Sequence, residues 1–231
     1  MIGYTQELLT GQQDLWDAQH AMRGAEGGLE GDHLVDVPND AAVMFGELVG
    51  SNSVIAEVGS ANGRDARYWA LQGHQIHCLD FSQVALSQLV QHAERQGVSD
   101  RINPVYFDAN NGQLPEEVDG ALNGFYARSA LHVGDKTLFS LLSDVNDKLE
   151  PESIILIEGK GPEDEKIARS VDIGDGLVSD PLENGHVRRV WTPESFGAIC
   201  GTFGWTALSQ EVVGEEWAGT DATFLRLVAV K

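Results

Sequence analysis

Apolar residues in this chain follow two rhythms. Short unbroken runs, SVIAEVG (53–59), QIHCLD (75–80), PVYFD (104–108), LNGFYA (122–127) and SIILIEG (153–159), have the length and character of strands buried on both faces. Between them apolar residues recur every three or four positions, the period of a helix with one buried face. That period predicts helices over Gly63–Leu71, over Ser82–Arg95 with a Ser cap, over Lys136–Leu149 with Pro151 beyond its end, and over Pro193–Phe203. Upstream, Leu8, Leu9, Leu15, Trp16 and Met22 mark an amphipathic helix across 5–22. Gly24, Gly27, Gly28, Gly31 and Pro38 then make 23–38 a loop. Asn39 or Asp40 can cap a helix through Val49, with Val43, Met44 and Leu48 turned inward.

Strands alternating with helices predict an α/β fold, a Rossmann-like doubly wound sheet of seven mostly parallel strands. The last two strands, 205–213 and 222–230, break the alternation. Too few residues lie between them for a helical crossover, and Gly214 and Gly219 are among those few. They therefore predict a C-terminal hairpin with one antiparallel strand near the sheet edge. Residues 160–190 are polar, Gly-rich and acidic with no period, the profile of a lid, a binding loop or a disordered stretch. Asp164, Glu165 and their neighbours read as a solvated face or a lid edge. The expected organisation is an N-terminal helical cover over 1–50 and a catalytic domain over 51–231 that carries the 160–190 insertion.

At 231 residues, with 42% hydrophobic and 22% charged positions, the composition is that of a globular protein. The length suits one or two domains at about 150 residues each. Charge changes the picture more. Fifteen Lys and Arg against 36 Asp and Glu leave a formal charge of −21. Nucleic-acid binding and polybasic attachment to a membrane both need clustered cations that this chain lacks. The acidic balance is compatible with either high-salt adaptation or an ordinary solvated surface. No apolar run approaches the roughly 18 residues of a membrane-spanning helix. The N-terminus lacks the basic and apolar regions of a secretory leader. A cytoplasmic protein, monomeric or homodimeric, is expected. Cys78 and Cys200 sit in apolar settings without a CxxC or Cys/His cluster, so neither a disulfide framework nor a metal site is expected.

The first strand runs into Glu57-Val58-Gly59-Ser60-Ala61-Asn62-Gly63-Arg64-Asp65. Glycines framing a strand-to-helix turn let the backbone approach a ligand, with the free N–H groups of the next helix facing the same crevice. Asp80 ends the second strand, where a carboxylate can accept from two ribose hydroxyls. Asp108 ends the third, at the same rim. Together these describe a nucleoside site. The G-x-G-x-x-G fingerprint of dinucleotide sites is absent, because the turn reads Gly59-x-Ala61-x-Gly63. A nicotinamide-dependent oxidoreductase therefore ranks below the reading that follows.

Glu57–Gly63, Asp80, Asp108 and the late hairpin together resemble the class I S-adenosylmethionine-dependent methyltransferases, over roughly residues 50–231. The stretch NGRDARYWALQGHQIHCLDFS is similar to small-molecule members near the thiopurine and tellurite group. FYARSALHV, IILIEGKGPEDE and GHVRRVW resemble bacterial enzymes of glycan and capsule modification. The resemblance implies S-adenosylmethionine as cofactor and S-adenosylhomocysteine as product. It places Gly59, Ser60, Ala61 and Gly63 around the methionine moiety and Glu57 at its amino group. Asp80 would bind the ribose, with Phe81 beside the adenine. Asp108 would face the adenine amino group, and Ala109 would offer its backbone N–H. Arg128 would lie near the methionine carboxylate or the acceptor, its alternative being a structural ion pair. Ala61 departs from the glycine most often found at its position. A methyltransferase fold that binds the cofactor without turnover is the other alternative.

The expected acceptor is a small or sugar-linked molecule methylated at oxygen by in-line transfer. A nucleic-acid base fits poorly with the charge. The amino-methylating signature is also missing after the fourth strand, which reads Ala127-Arg128-Ser129-Ala130. Transfer between aligned atoms asks chiefly for positioning, whereas a hydroxyl acceptor benefits from a base. His132 is the candidate base, since imidazole titrates near neutrality; its alternative is a ring that satisfies a backbone group. His186, Arg188 and Arg189 are candidates for an anionic acceptor through bidentate contacts, or else neutralise the acids of 163–183. Trp16 and His20, one helical turn apart, and Tyr4 can cover the site or simply pack.

Overall fold

The computed structural model describes residues 12–25, 37–217 and 220–231. Tyr4, Leu8, Leu9, Gly27, Gly28, Gly31 and Gly219 lie outside the described residues. A seven-stranded sheet is built from β1 (Val54–Val58), β2 (Gln75–Asp80), β3 (Ile102–Tyr106), β4 (Leu122–Arg128), β5 (Leu149–Lys160), β9 (Thr206–Trp217) and β10 (Thr220–Val230), in the order 3-2-1-4-5-10-9. β1 pairs in parallel with both β2 and β4, and the parallel set continues to β3 on one side and β5 on the other. β10 runs antiparallel to β5 and closes a hairpin with β9, as the short connection predicts. The winding reverses between β1 and β4. A ligand crevice opens at such a point, beyond the carboxyl ends of the strands.

Helices cover both faces. α2 (Asp40–Leu48), α3 (Arg64–Leu71) and α4 (Gln83–Gln96) pack on one, around Phe45, Ile55, Trp69, Leu89 and Tyr126. α5 (Asp135–Lys148) and α7 (Pro193–Phe203) pack on the other, around Leu138, Leu141, Phe125, Phe196 and Ile157. The caps at Ser82 and Asn39 are those the sequence suggests, and the box at Thr192 is an addition. Ser82 accepts from Ala85 N–H at the start of α4 (3.1 Å), and Thr192 and Ser195 form a reciprocal box at the start of α7. Asn39 caps α2, accepting from Ala42 N–H at 2.8 Å.

The inward face of α2 differs from the one expected. Ala41, Ala42 and Phe45 are buried, whereas Leu48 is 44% exposed. Phe45, Trp69 and Tyr126 meet edge to face with centroids 5.0–5.3 Å apart, and the Trp69 indole N–H donates to the Ala42 carbonyl at 2.9 Å. Aromatic pairs of this kind contribute roughly 0.5–1.5 kcal/mol each beyond burial, so they set the rotation of the helix. The N-terminal helix α1 (Gln12–Ala25) continues through Gly24, beyond the loop boundary expected at residue 23.

Residues 160–190 are folded. A short helix α6 (Glu165–Ala168) leads into an antiparallel sheet of β6 (Val171–Gly174), β7 (Leu177–Asp180) and β8 (His186–Arg189). Ion pairs take the place of much of an apolar core here. Arg169 donates to Asp180 at 2.7 and 3.0 Å, and Asp180 is fully buried. Asp164 is no part of a solvated face: it is buried and accepts from Lys160 Nζ (2.5 Å) and from the N–H groups of Lys166 and Thr223 (2.9 Å each). Glu165 is exposed. Among the described residues no helix is long and apolar enough to cross a membrane.

Candidate functional site

The turn after β1 is held from two sides. Gly59 N–H and Ser60 N–H both donate to the Leu79 carbonyl, at 2.8 and 3.3 Å. Gly59 and Gly63 have φ of +78°, in the region glycine occupies freely. A Cβ on Gly59 would fall 2.4 Å from Ala130 Cβ, and one on Gly63 would fall 2.6 Å from Leu89 Cγ. Both glycines are therefore demanded by conformation and by space. Ala61 adopts φ +49°, a left-handed conformation that costs an L-residue about 1–2 kcal/mol. Its N–H is fixed by Asp80 Oδ2 at 2.8 Å, while Asp80 Oδ1 accepts from Ser82 N–H at 2.9 Å. The carboxylate that ends β2 thus organises the turn that ends β1.

Glu57 is buried, and its Oε2 has no hydrogen-bond partner; the same holds for Ser60 Oγ. Burial pushes the Glu57 carboxyl well above the usual carboxylate range, with Asp65 and Asp80 adding to the effect and Arg64 opposing it. Buried polar atoms normally find partners, so this pair marks a place for a ligand donor. Burial likewise raises the Asp80 pKa, against the lowering effect of its N–H donors Ser82 and Ala61. Asp108 caps the 3-10 turn 109–111, its Oδ1 accepting from Asn110 N–H at 2.9 Å and from Asn110 Nδ2 at 2.8 Å.

These groups border a cavity of about 840 Å³. On one side it is lined by Glu57, Gly59, Ser60, Ala61, Asp80 and Phe81, and further along by Asp108 and Ala109. Gly63 stands behind this wall, where it starts α3 and packs on Leu89. Across the crevice the lining is Arg128, Ser129, Ala130, His132 and Val187. α1 contributes Gln12, Trp16 and His20 to the lining. It is anchored on both banks. Gln12 accepts from Val187 N–H (3.1 Å), Asp17 accepts from the Ser82 hydroxyl (2.5 Å), and the His20 carbonyl accepts from Gln88 Nε2 (3.1 Å).

Sequence reasoning missed several of the groups that shape this cavity. Buried Asp65, in the first turn of α3, accepts from Asn39 N–H at 3.1 Å and from the Asn39 side chain. Asn39 in turn accepts from the Tyr126 hydroxyl at 3.1 Å, so three elements are tied under the turn. An acid in the first turn of a helix is a recognisable signal; its partner Asn39 lies 26 positions away, and Tyr126, which donates to Asn39, a further 87. Ser129 adopts φ +51° at the cavity wall, and no sequence signal announced it.

The acceptor-side candidates are placed differently from one another. Arg128 lines the cavity but is engaged, its Nε donating to Glu158 at 2.6 Å, its Nη2 to Glu215, and its guanidinium lying over the Phe224 ring at 4.8 Å. Arg188 and Arg189 are buried away from the lining. Arg188 pairs with Glu183 and lies 3.6 Å from Asp180; Arg189 donates to Asp135 and, at 2.9 Å, to the Val133 carbonyl. Neither borders the cavity, and the two acids that meet Arg188 are among those of 163–183, as the alternative reading has it. Truncating Arg188 to Ala should lower the melting temperature by several degrees and leave cofactor affinity within about twofold, because the buried Asp180 and half-buried Glu183 lose a cation. Parallel melts and titrations check this, and an intact melting temperature would contradict the structural role.

His132 accepts from Arg189 N–H through Nδ1 at 3.3 Å, and hydrogen bonding to the Ser129 backbone favours a proton on the ring. Burial, with His186 and Arg188 nearby, lowers its pKa to about 3. A neutral ring that accepts at Nδ1 carries its proton on Nε2, so His132 is a donor here and is poorly suited as a general base at neutral pH. His186 is buried 5.8 Å from the His132 ring, and burial and Arg188 lower its pKa to about 4. Both imidazoles titrate lower in the folded chain than in the unfolded one. Their contribution to stability is present above about pH 6.5 and is lost as pH falls toward 4 and 3. Glu57 and Asp80, with raised values, work in the opposite sense. Urea midpoints measured from pH 7.5 to 4 should therefore fall less in His132→Gln and His186→Gln than in the parent. Parallel curves would refute the assignment. Among the described residues no group of three or more His, Cys, Asp or Glu is placed to hold a metal ion.

No protein-family model and no curated protein matches the chain. Solved structures do. A SAM-dependent methyltransferase from Methanosarcina mazei superposes with a TM-score of 0.68 at 15% identity, over 84% of this chain and 99% of that one. The 1,6-didemethyltoxoflavin-N1-methyltransferase of Burkholderia thailandensis, solved with 1,6-didemethyltoxoflavin and S-adenosylhomocysteine, gives 0.66 at 16% identity, over 96% and 89%. TehB from Haemophilus influenzae gives 0.63 at 14% identity, over 84% of this chain, which spans 62% of TehB. The chain has the Rossmann-like fold of the class I S-adenosylmethionine-dependent methyltransferases.

Proposed function

We propose that the protein is a methyltransferase that uses S-adenosylmethionine to methylate a small-molecule acceptor, at oxygen, by in-line displacement. The observation that carries this reading is the pair of buried, unpartnered atoms, Glu57 Oε2 and Ser60 Oγ, facing the same cavity as a strand-end carboxylate, Asp80. The residues present fit the cofactor. Glu57 and Ser60 offer acceptors to an amino group, and the glycine turn leaves room for a ligand against the backbone. Asp80 keeps lone pairs for two ribose hydroxyls beyond those used on Ala61 and Ser82. Asp108, Ala109 and Phe81 would border the adenine. When bound, the cofactor supplies an electrophilic methyl on a sulfonium sulfur and leaves as S-adenosylhomocysteine.

The chain's own part is positional. Trp16 and α1 restrict water at the mouth. Ser129 and His132 offer neutral polar groups across from the turn. With Nδ1 of His132 already accepting from Arg189 N–H and its ring held neutral, His132 itself does not serve as the base, and alignment of the acceptor carries the step. The cavity volume lies in the range of small-ligand sites, roughly 300–1,000 Å³. Cys78 and Cys200 are free thiols, as suits a reducing compartment such as the cytoplasm.

Calorimetric titration with S-adenosylhomocysteine, at low and high salt, tests the reading. Saturable one-to-one binding supports it. No heat from a protein shown to be folded by circular dichroism removes it.

A further inference from the structure

Beneath the glycine turn the cavity wall holds more carboxyls than nearby cations. Glu57, Asp65 and Asp80 are 3%, 7% and 6% exposed, and all three border the cavity. Two of them are satisfied as anions. Asp80 accepts from Ala61 N–H and Ser82 N–H, at 2.8 and 2.9 Å. Asp65 accepts from Asn39 N–H at 3.1 Å, from the Asn39 side chain, and from Arg64 Nε at 3.1 Å. Donors of this kind favour the ionised form. Glu57 has no such donor at Oε2, which is buried without a partner.

The groups packed around Glu57 supply little to offset its charge. The sheet register sets it beside Cys78 of β2 and Tyr126 of β4. Burial pushes both the thiol and the phenol up, so each stays neutral at physiological pH. On α3, Arg64 is engaged with Asp65, and Arg67 directs its Nε to the Gly63 carbonyl at 3.1 Å. At the end of β4, Arg128 is held by Glu158 and Glu215. Burying a carboxylate beside two others is costly, and a carboxyl so placed keeps its proton instead. The raised pKa of Glu57 accords with this. An ammonium reverses the balance. Under the methyltransferase reading, on which this inference rests, the amino group of the cofactor enters beside Glu57 Oε2 and Ser60 Oγ. It brings a positive charge and hydrogen-bond donors to the unpartnered oxygen, and both favour the ionised carboxyl.

We propose that Glu57 carries a proton until the ligand binds and releases it to solvent as the ligand's ammonium moves in, so that uptake of the cofactor is coupled to proton release and selects nucleosides bearing a free amino group. The O–H bond of the carboxyl breaks, its proton passes to the buffer, and the ammonium keeps its own three protons.

Calorimetric titration with S-adenosylhomocysteine in phosphate and in Tris, buffers of different ionisation enthalpy, counts the protons released. At about pH 7 the parent should release roughly 0.5–1 proton per ligand bound, and its affinity should rise with pH toward the limit of about tenfold per unit for one coupled proton. Glu57→Gln keeps the shape of the protonated carboxyl. It should melt at or above the parent's temperature, bind more weakly, and release fewer than about 0.2 protons with a flat profile from about pH 6 to 8. 5′-Deoxy-5′-methylthioadenosine, which has the nucleoside without the amino acid, should release no more than Glu57→Gln does. Binding of S-adenosylhomocysteine to the parent without proton release, undiminished release in Glu57→Gln, or equal release by the two ligands each overturns the proposal. No binding of S-adenosylhomocysteine to the folded parent instead removes the reading beneath, and the proposal with it.

Discussion

Asp80→Ala should weaken S-adenosylhomocysteine binding by about 100-fold or more while the protein stays folded. Hydrogen bonds to a charged group contribute roughly 1.5–3 kcal/mol each, and two ribose hydroxyls would lose theirs together. A second effect adds to this. The same carboxylate fixes Ala61 N–H and Ser82 N–H, so its removal frees a turn that already holds Ala61 at positive φ. Asp80→Asn keeps one carbonyl oxygen and should fall between parent and Ala. Acidification should mimic the loss in milder form. Burial raises the Asp80 pKa, so affinity should decline as pH drops toward the upper carboxylate range, earlier than for an exposed aspartate. Calorimetry on the three proteins at pH 8 and pH 5 reads all of this. An Asp80→Ala protein that binds like the parent would move the nucleoside away from β2.

The parts of this site that were legible in the sequence are those carried by position along a strand. Asp80 and Asp108 end apolar runs, and Gly59 and Gly63 frame a turn, so their shared rim follows from a parallel sheet alone. The hairpin of β9 and β10 was legible for a similar local reason. Residues 160–190 were not, because strands of four residues offer too few positions for a period and their interior is built of ions. Arg188 and Asp180 look like surface residues in the sequence, and only pairing across β7 and β8 explains their burial. The same blindness applies to Arg188 and Arg189 as acceptor ligands. Two adjacent cations invite an anionic substrate until Glu183 and Asp135 are seen beside them. For α2 the apolar residues allowed several rotations, and the one adopted depends on Trp69 and Tyr126, distant in sequence.

The second large effect concerns a residue that touches no proposed ligand. Glu158, on β5, is 2% exposed and accepts from Arg128 Nε at 2.6 Å and Arg226 Nε at 2.5 Å. Its replacement strands buried cations, which typically costs about 3–5 kcal/mol. The two arginines would not suffer equally. Arg128 keeps Glu215, whereas Arg226 is left with Glu211 at 3.5 Å, on an exposed edge strand. Glu158→Ala should therefore lower the melting temperature by roughly 10 °C, at about 2–4 °C per kcal/mol for a chain of this size. Adding Arg226→Leu should recover most of that loss, since the stranded charge, more than the missing attraction, carries the cost. A drop below about 2 °C, or a double variant no better than the single one, would contradict this account of the network.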